Sequence, residues 1–284
     1  MVTALWLGNE RLRLGFVPEL GGRLLSLQRD GTELLWRDPT LFTPALEPRG
    51  EVGPNDGDMG DWVNYGGDKT WPAPQGWSGH GEWPGPPDPV LDSGPYTVDT
   101  ARGSVTMTSA PDPRTGLRLT RHFALTATGY TLNLTATNVS DREVRWALWN
   151  VTQFPGGGEV LVALRDHPNP VVDLIAGTAN PRYELSAGSA RVPPQEVVGK
   201  LGFPGAAGSL AYAGVTFTFE VDPAATYPDE GSPVEVWLEH PQPEPIAALG
   251  NLNPPAHIVE CEILGPLTDL APGEHTSLTI EVVA

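Results

Sequence analysis

Wherever this chain carries a hydrophobic period, the period is two. In residues 117–126 (LRLTRHFALT), Leu117, Leu119, Phe123 and Leu125 share one face. In 130–137 (YTLNLTAT), Tyr130, Leu132 and Leu134 do the same. Residues 142–153 alternate Val144, Trp146 and Leu148 against Arg145, Ala147 and Trp149. Such alternation marks strands with one face turned inward. The same pattern recurs at 2–7, 10–17, 22–29, 96–109, 159–165, 209–221, 233–240, 256–264 and 276–283, mostly bounded by Gly, Pro, Asn or Asp. No window of twelve residues carries a helical period. Composition explains why: 33 glycines and 31 prolines exceed a fifth of the 284 residues, against roughly 12% on average. In a helix interior each proline costs about 3 kcal/mol and each glycine about 1. The expectation is an all-β sandwich or barrel, formed by one domain over 1–284.

One stretch breaks the rhythm. Residues 37–95 hold few strand patterns, much Gly and Pro, and four of the nine tryptophans, Trp62, Trp71, Trp77 and Trp83. Disordered segments are poor in aromatic residues, so the stretch is expected to be an ordered excursion packed over a sheet.

Charge narrows the partners. Thirty-five acids against seventeen bases give a formal net charge of −18. That field repels phosphate backbones and anionic bilayers, so neither nucleic acid nor a membrane is an expected partner. The single cysteine, Cys261, excludes an intramolecular disulfide and a Cys-rich zinc site, and is expected to be a buried small hydrophobe. The N-terminal MVTALWLGNE lacks a basic region followed by an apolar run, and no stretch approaches the ~18 apolar residues of a spanning helix. A cytoplasmic location is expected. Only two of the bases are lysines, Lys69 and Lys200.

Four constellations can carry chemistry. In NYGGDKTWPAPQGW (64–77), Gly66-Gly67 precedes Asp68, Lys69 and Trp71. Aromatic faces stack on the C–H faces of sugar rings, while carboxylate, amine and amide groups bind hydroxyls. Asn64, Asp68, Trp71 and Gln75 are therefore candidate substrate contacts, together with His80 further along the tryptophan-rich stretch. In HIVECEILGPL (257–267), Glu260 and Glu262 share one strand face, ~7 Å apart. Carboxylates that close raise one another's pKa, as a general base or acid requires. In WALWNVTQF (146–154), Trp149 and Gln153 share a face and offer a stacking platform with an amide. In NDGDMGD (55–61), Asp56, Asp58 and Asp61 are the residues that could gather oxygens around Ca²⁺, although the EF-hand spacing is not met. No metal or cofactor is otherwise expected.

Together, VPELGGRLLSL (17–27), the NYGGDKTWPAPQ loop, ALWNVTQF and VECEILGPLTDLAPGE (259–274) resemble the galactose mutarotase-like (aldose epimerase-like) superfamily over nearly the whole chain. The likeness is greatest to a bacterial branch with the same GG-D-K-x-W-P-A-P-Q loop. The resemblance implies a large antiparallel β-supersandwich with sugar bound on a concave sheet face. It also implies a late-strand glutamate, matching Glu260 or Glu262, that takes the anomeric hydroxyl proton. The epimerase histidines are not matched: Asn64-Tyr65 and Thr152-Gln153 stand where the relatives carry them.

The expected ligand is a small-molecule sugar or glycan, neutral rather than phosphorylated given the acidic charge. Three activities are compatible with these residues. One is an aldose epimerase-like isomerase with Lys69 as the acid, positioned by Asp68, and Trp71 and Trp149 as stacking walls. The second is a sugar-binding module without turnover. The third is a glycoside hydrolase or lyase using paired carboxylates, of which Glu260 with Asp68 is one pairing.

Overall fold

The computed structural model describes residues 3–76 and 83–284. Its strands form two antiparallel sheets. In spatial order the first contains Leu5–Gly8 (β1), Leu12–Val17 (β2), Arg23–Arg29 (β3), Asp68–Ala73 (β5), Val144–Pro155 (β10), Ile258–Leu264 (β19), Val234–Glu239 (β18), Gly199–Gly202 (β15) and Val172–Ala176 (β12). Thr32–Glu33 (β4) joins β3, and Thr268–Leu270 (β20) joins β10. The second runs Glu184–Ser186 (β13), Ser189–Val192 (β14), Val160–Leu164 (β11), Ala206–Tyr212 (β16), Val215–Phe219 (β17), His275–Val283 (β21), Gly129–Asn138 (β9), Leu117–Leu125 (β8), Ser104–Thr108 (β7) and Thr97–Ala101 (β6). This is the all-β supersandwich that the alternation and the resemblance imply. Among the described residues no helix is long and apolar enough to cross a membrane.

The two sheets pack through the apolar faces read from the sequence. Leu117, Leu119 and Phe123 of β8 and Leu132 and Leu134 of β9 are buried. Phe123 meets Phe16 of β2 at a ring separation of 4.9 Å, and Phe154 of β10 meets Phe217 of β17 at 6.2 Å. Two expected strands are hairpins instead. Residues 96–109 turn at Arg102-Gly103 into β6 and β7, and 209–221 turn at Ala213-Gly214 between β16 and β17. Positive φ at Ala213 (51°) and Gly214 (77°) suits the twist of a two-residue hairpin.

The 37–95 stretch is not simply an excursion over a sheet. Its Asp68–Ala73 segment is β5, inside the first sheet, paired with β10 over six residues from Ala73↔Ala147 to Asp68↔Thr152. The Gly-Gly before it and Pro72 within it give the sequence the look of a turn. Gly66 and Gly67 have φ of 89° and 77°, and a Cβ on Gly67 would lie 2.4 Å from the Leu24 carbonyl oxygen. The pair lets the chain enter the sheet in a crowded corner. On the other side β3 pairs with β5 only at Leu24↔Asp68. A strand with an open side can accommodate a proline there.

Placing these residues in a strand reverses the expectation for Asp68. Neighbouring residues of a strand point to opposite faces, so Asp68 turns inward where Lys69 turns out. Asp68 is buried between the sheets and paired with Arg121 of β8, itself fully buried. Asn150 Nδ2 and Thr152 Oγ1 donate to its other oxygen at 2.8 and 2.6 Å. Arg121 Nη1 donates to the carbonyls of Gly22 (2.6 Å) and Asp68 (3.0 Å). Asp68 therefore ties the two sheets together and faces away from Lys69. The Glu260–Asp68 pairing is lost for the same reason, since the two carboxylates lie on opposite faces of one sheet.

Candidate functional site

The outward face of β5, β10, β19, β18 and β15 collects side chains by strand parity. Lys69 and Trp71 come from β5, and Trp149 and Gln153 from β10. Glu260 and Glu262 come from β19, Glu235, Trp237 and Glu239 from β18, and Lys200 from β15. The register aligns them in rows: Trp149↔Trp71, Gln153↔Glu260, Trp237↔Glu260, Glu235↔Glu262 and Lys200↔Trp237. Both lysines of the chain thus stand on this one face. Above it lies a cleft of about 920 Å³ whose walls include Trp62, Trp71, Trp149, Trp237, Glu239, Glu260 and Glu262.

Each lysine rests on a tryptophan and pairs with glutamate. Lys69 Nζ lies 4.7 Å from the Trp71 ring centre and 3.1 Å from Glu260 Oε1. Lys200 Nζ lies 4.3 Å from the Trp149 ring centre, 3.0 Å from Glu262 Oε2, and also pairs with Glu235. The surroundings drive the two ammoniums in opposite directions. Burial lowers the pKa of Lys69, with one directly paired carboxylate opposing it. Burial acts on Lys200 too, but Glu235, Glu262 and Asp229 together outweigh it and raise its pKa. Desolvation disfavours a charge and opposite charges restore it, so the number of nearby carboxylates decides.

The carboxylates are held as firmly. Trp149 Nε1 donates to Glu262 Oε2 at 2.6 Å, and Trp237 Nε1 donates to Glu239 Oε1 at 3.0 Å. Gln153 Nε2 donates to Glu260 Oε1, the same oxygen that Lys69 holds. Glu262 Oε1 and Glu239 Oε2 are buried and take no hydrogen bond. Burial raises the pKa of Glu235 and Glu262. Burial and the neighbouring Glu260 push Glu239 up to about 7. Burial likewise raises the thiol of Cys261, which lies on the inward face of β19 as expected.

The shift at Glu239 makes a prediction. Its carboxyl keeps its proton to about pH 7 in the folded state, against an ordinary value of 4.5. Between those values the folded state binds more protons than the unfolded one, so stability falls as pH rises. The contribution is complete below pH 4.5 and lost above 7, roughly 3 kcal/mol in all. Glu239→Gln should therefore melt progressively higher than wild type as pH rises from 5 to 8. Parallel melting curves across that range would rule the shift out.

A second layer fixes the walls. Asp92, buried and paired with Arg23, accepts from Trp71 Nε1 (2.9 Å) and Trp62 Nε1 (3.3 Å). Trp71 packs edge-on against Trp149 with ring centres 5.1 Å apart. Both rings are only 3% exposed, so they form the floor. The half-buried Trp62 and Trp237 present more open surface. Over the cleft, the Met59–Asp61 turn and the Ala247–Leu249 turn approach each other, and a Cβ on Gly250 would lie 3.1 Å from Met59 Cβ. At the rim, Asp229 and Glu230 hold φ of 50° and 59°. Left-handed backbone costs roughly 1–2 kcal/mol per non-glycine residue, strain of the kind found at binding sites.

The structure thus brings together Lys69, Trp71, Trp149, Gln153, Glu260 and Glu262, with Gln75 on the cleft wall. Lys69 is 1% exposed and lies beneath the lining, behind Glu260. Asn64 does not join them: its Oδ1 accepts from the Gly66 N–H at 3.2 Å and shapes the entry to β5. His80 lies outside the described residues. Asp56 and Asp61 serve their own loop, and Asp58 lines the cleft. Asp56 Oδ1 accepts from Gly57 N–H, and Asp61 Oδ2 from Asp58 N–H. Among the described residues no group of three or more His, Cys, Asp or Glu side chains could hold a metal ion. Lys200, Glu235, Trp237, Glu239 and Asp92 escape sequence reasoning. The run EVWLE (235–239) carries the same signal as VECEI, acids alternating with apolar residues on a strand, and the scarcity of lysine marks Lys200.

A family model described as a domain of unknown function, DUF4380, matches residues 2–281. The chain belongs to the DUF4380 family. No curated protein matches it. Among solved structures, this DUF4380 protein is similar to a galactose mutarotase-like protein from Lactobacillus casei ATCC 334, with 14% identity, 99% of each chain covered and a TM-score of 0.59. A proposed aldose 1-epimerase from Escherichia coli K12 aligns with 16% identity over 100% of this chain and 99% of its own, at a TM-score of 0.60. A galactose mutarotase related enzyme from Lactobacillus acidophilus aligns with 11% identity over 99% and 97%, at 0.52. The DUF4380 chain has the galactose mutarotase-like fold.

Proposed function

We propose that this protein binds a sugar in the cleft and interconverts its anomers, with Glu260 as base. The observation that carries the reading is the attachment of Glu260: Lys69 and Gln153 both hold Oε1, which leaves Oε2 for a ligand in the cleft. A base must reach the proton it takes; both glutamates line the cleft, but Glu260 is the more exposed, at 6% against 0%, and Glu262 is bound to Lys200 and Trp149. Glu239 supplies the acid. A carboxyl with a pKa of about 7 beside a carboxylate base is an arrangement in which two environments assign two roles. Glu260 takes the anomeric hydroxyl proton as the ring C–O bond opens, and Glu239 gives its proton to the ring oxygen. Rotation about the bond next to the carbonyl and reversal of both transfers yields the other anomer. Lys69, enclosed behind Glu260 and outside the cleft lining, anchors Glu260 Oε1 and is not the acid.

A binding module without turnover is the second reading, favoured by one fact: among the described residues no histidine lines the cleft. Polarimetry on freshly dissolved glucose, galactose and xylose, with calorimetry on the same sugars, separates the two. Rates above the buffer blank for at least one sugar are expected. Binding at the blank rate would leave a binding module, and neither binding nor turnover of any sugar would overturn both.

A further inference from the structure

We infer that the cleft is built for a ligand carrying a protonated amine and, resting on the sugar reading above, for an amino sugar with a free amine rather than a neutral or acidic sugar. Three observations carry this. First, the described lining holds Asp58, Asp229, Glu230, Glu239, Glu260 and Glu262 against one cation, Lys200. The whole chain has about two acids per base, so the imbalance is concentrated at the cleft. Among the described residues no arginine lines it, so a carboxylate or phosphate would meet no guanidinium there.

Second, two of these carboxylates are incomplete. Glu239 and Glu262 are 2% and 0% exposed. Each accepts one indole N–H and leaves its other oxygen, Glu239 Oε2 and Glu262 Oε1, without a partner. A buried acceptor without a donor is costly and calls for a missing partner. An ammonium supplies three N–H donors and the charge that offsets the surplus acids. Third, the aromatic faces already receive cations, with Lys69 over Trp71 and Lys200 over Trp149. Trp237, half-buried beside Glu239 and opposite Glu260 in the register, offers another face of that kind.

An amine approaching Glu239 favours its ionised form, so binding near pH 7 should release protons, and an amino sugar held this way should turn over more slowly than its neutral parent because Glu239 has then lost the proton it gives as the acid. Calorimetry at pH 7 and low salt tests the inference with D-glucosamine, D-galactosamine, D-glucose, D-galactose, N-acetyl-D-glucosamine and 2-aminoethanol. Each is titrated in two buffers of different ionisation heat. At least one amino sugar should bind tenfold or more tightly than its neutral parent, with net proton release. N-acetylglucosamine should behave as a neutral sugar. Glu239→Gln, which replaces an acid by its isostere, should reduce the amine-to-neutral ratio severalfold and diminish the proton release. A thermal melt shows that the variant is folded.

Neutral sugars binding as tightly as amino sugars would overturn the inference and leave the sugar reading standing. So would an amine advantage that Glu239→Gln leaves unchanged. If 2-aminoethanol matched glucosamine, the assignment to a sugar would fall. If no compound in the panel bound, both the inference and the reading it rests on would fail.

Discussion

Asp68→Ala is expected to destabilise the protein by about 3–5 kcal/mol at pH 7 and to lower the melting temperature by roughly 10 °C. Asp68 and Arg121 are both buried between the sheets. Removing the carboxylate leaves a guanidinium charge out of reach of water, and strips Asn150 Nδ2 and Thr152 Oγ1 of their acceptor. An uncompensated buried charge is the expensive outcome. Replacing both partners by apolar residues of similar size is often close to neutral. The double variant Asp68→Leu/Arg121→Met should therefore melt above Asp68→Ala. Below its melting temperature, Asp68→Ala should bind ligand with wild-type affinity, because Asp68 faces away from the cleft. A loss under about 1 kcal/mol, in the range of surface ion pairs, would contradict the buried pairing.

Glu260→Gln is expected to abolish most anomer interconversion, by 10²-fold or more, the usual contribution of a positioned general base. The amide preserves the shape of the residue and can still accept from Lys69 and Gln153, but it cannot take a proton. Glu262→Gln should lower turnover far less, because Glu262 is fixed by Lys200 and Trp149 and lies fully buried. Polarimetry on the two variants side by side assigns the base. Equal losses, or a larger loss for Glu262→Gln, would move the role to Glu262. Glu260→Gln at the wild-type rate would remove Glu260 from the chemistry.

Much of the sheet framework is legible in the chain because its cause is local. Period-two alternation needs only a few neighbouring residues to show, and the strands containing Leu117–Leu125, Gly129–Asn138, Val144–Pro155 and Ile258–Leu264 lie where it predicts. The short strands β12, β13, β14 and β15 are not legible, since three to five residues such as Gly199–Gly202 carry too little pattern. Strand β5 is hidden by its own flanking glycines and internal proline. They read as a turn until β10 is seen beside them, and with β5 unseen, Asp68 and Lys69 look like partners.

The site divides along the same line. Glu260 with Glu262, and Trp149 with Gln153, can each be placed on a common face from sequence, because alternate residues of a strand point the same way. Which strands stand side by side is settled by long-range pairing. The order β5-β10-β19-β18-β15 brings Lys69, Glu239, Glu260 and Lys200 together from segments up to nearly two hundred residues apart. The sequence alone therefore determined the β class, several shared faces, and Lys69 and the late glutamates as residues worth following. Only the tertiary structure decided that Asp68 belongs to the core with Arg121, that Lys69 sits beneath the cleft lining, and that Glu235, Trp237, Glu239 and Lys200 complete the face. The physical reason is that a strand's alternation is encoded within itself, whereas its neighbours are chosen by the packing of the whole chain.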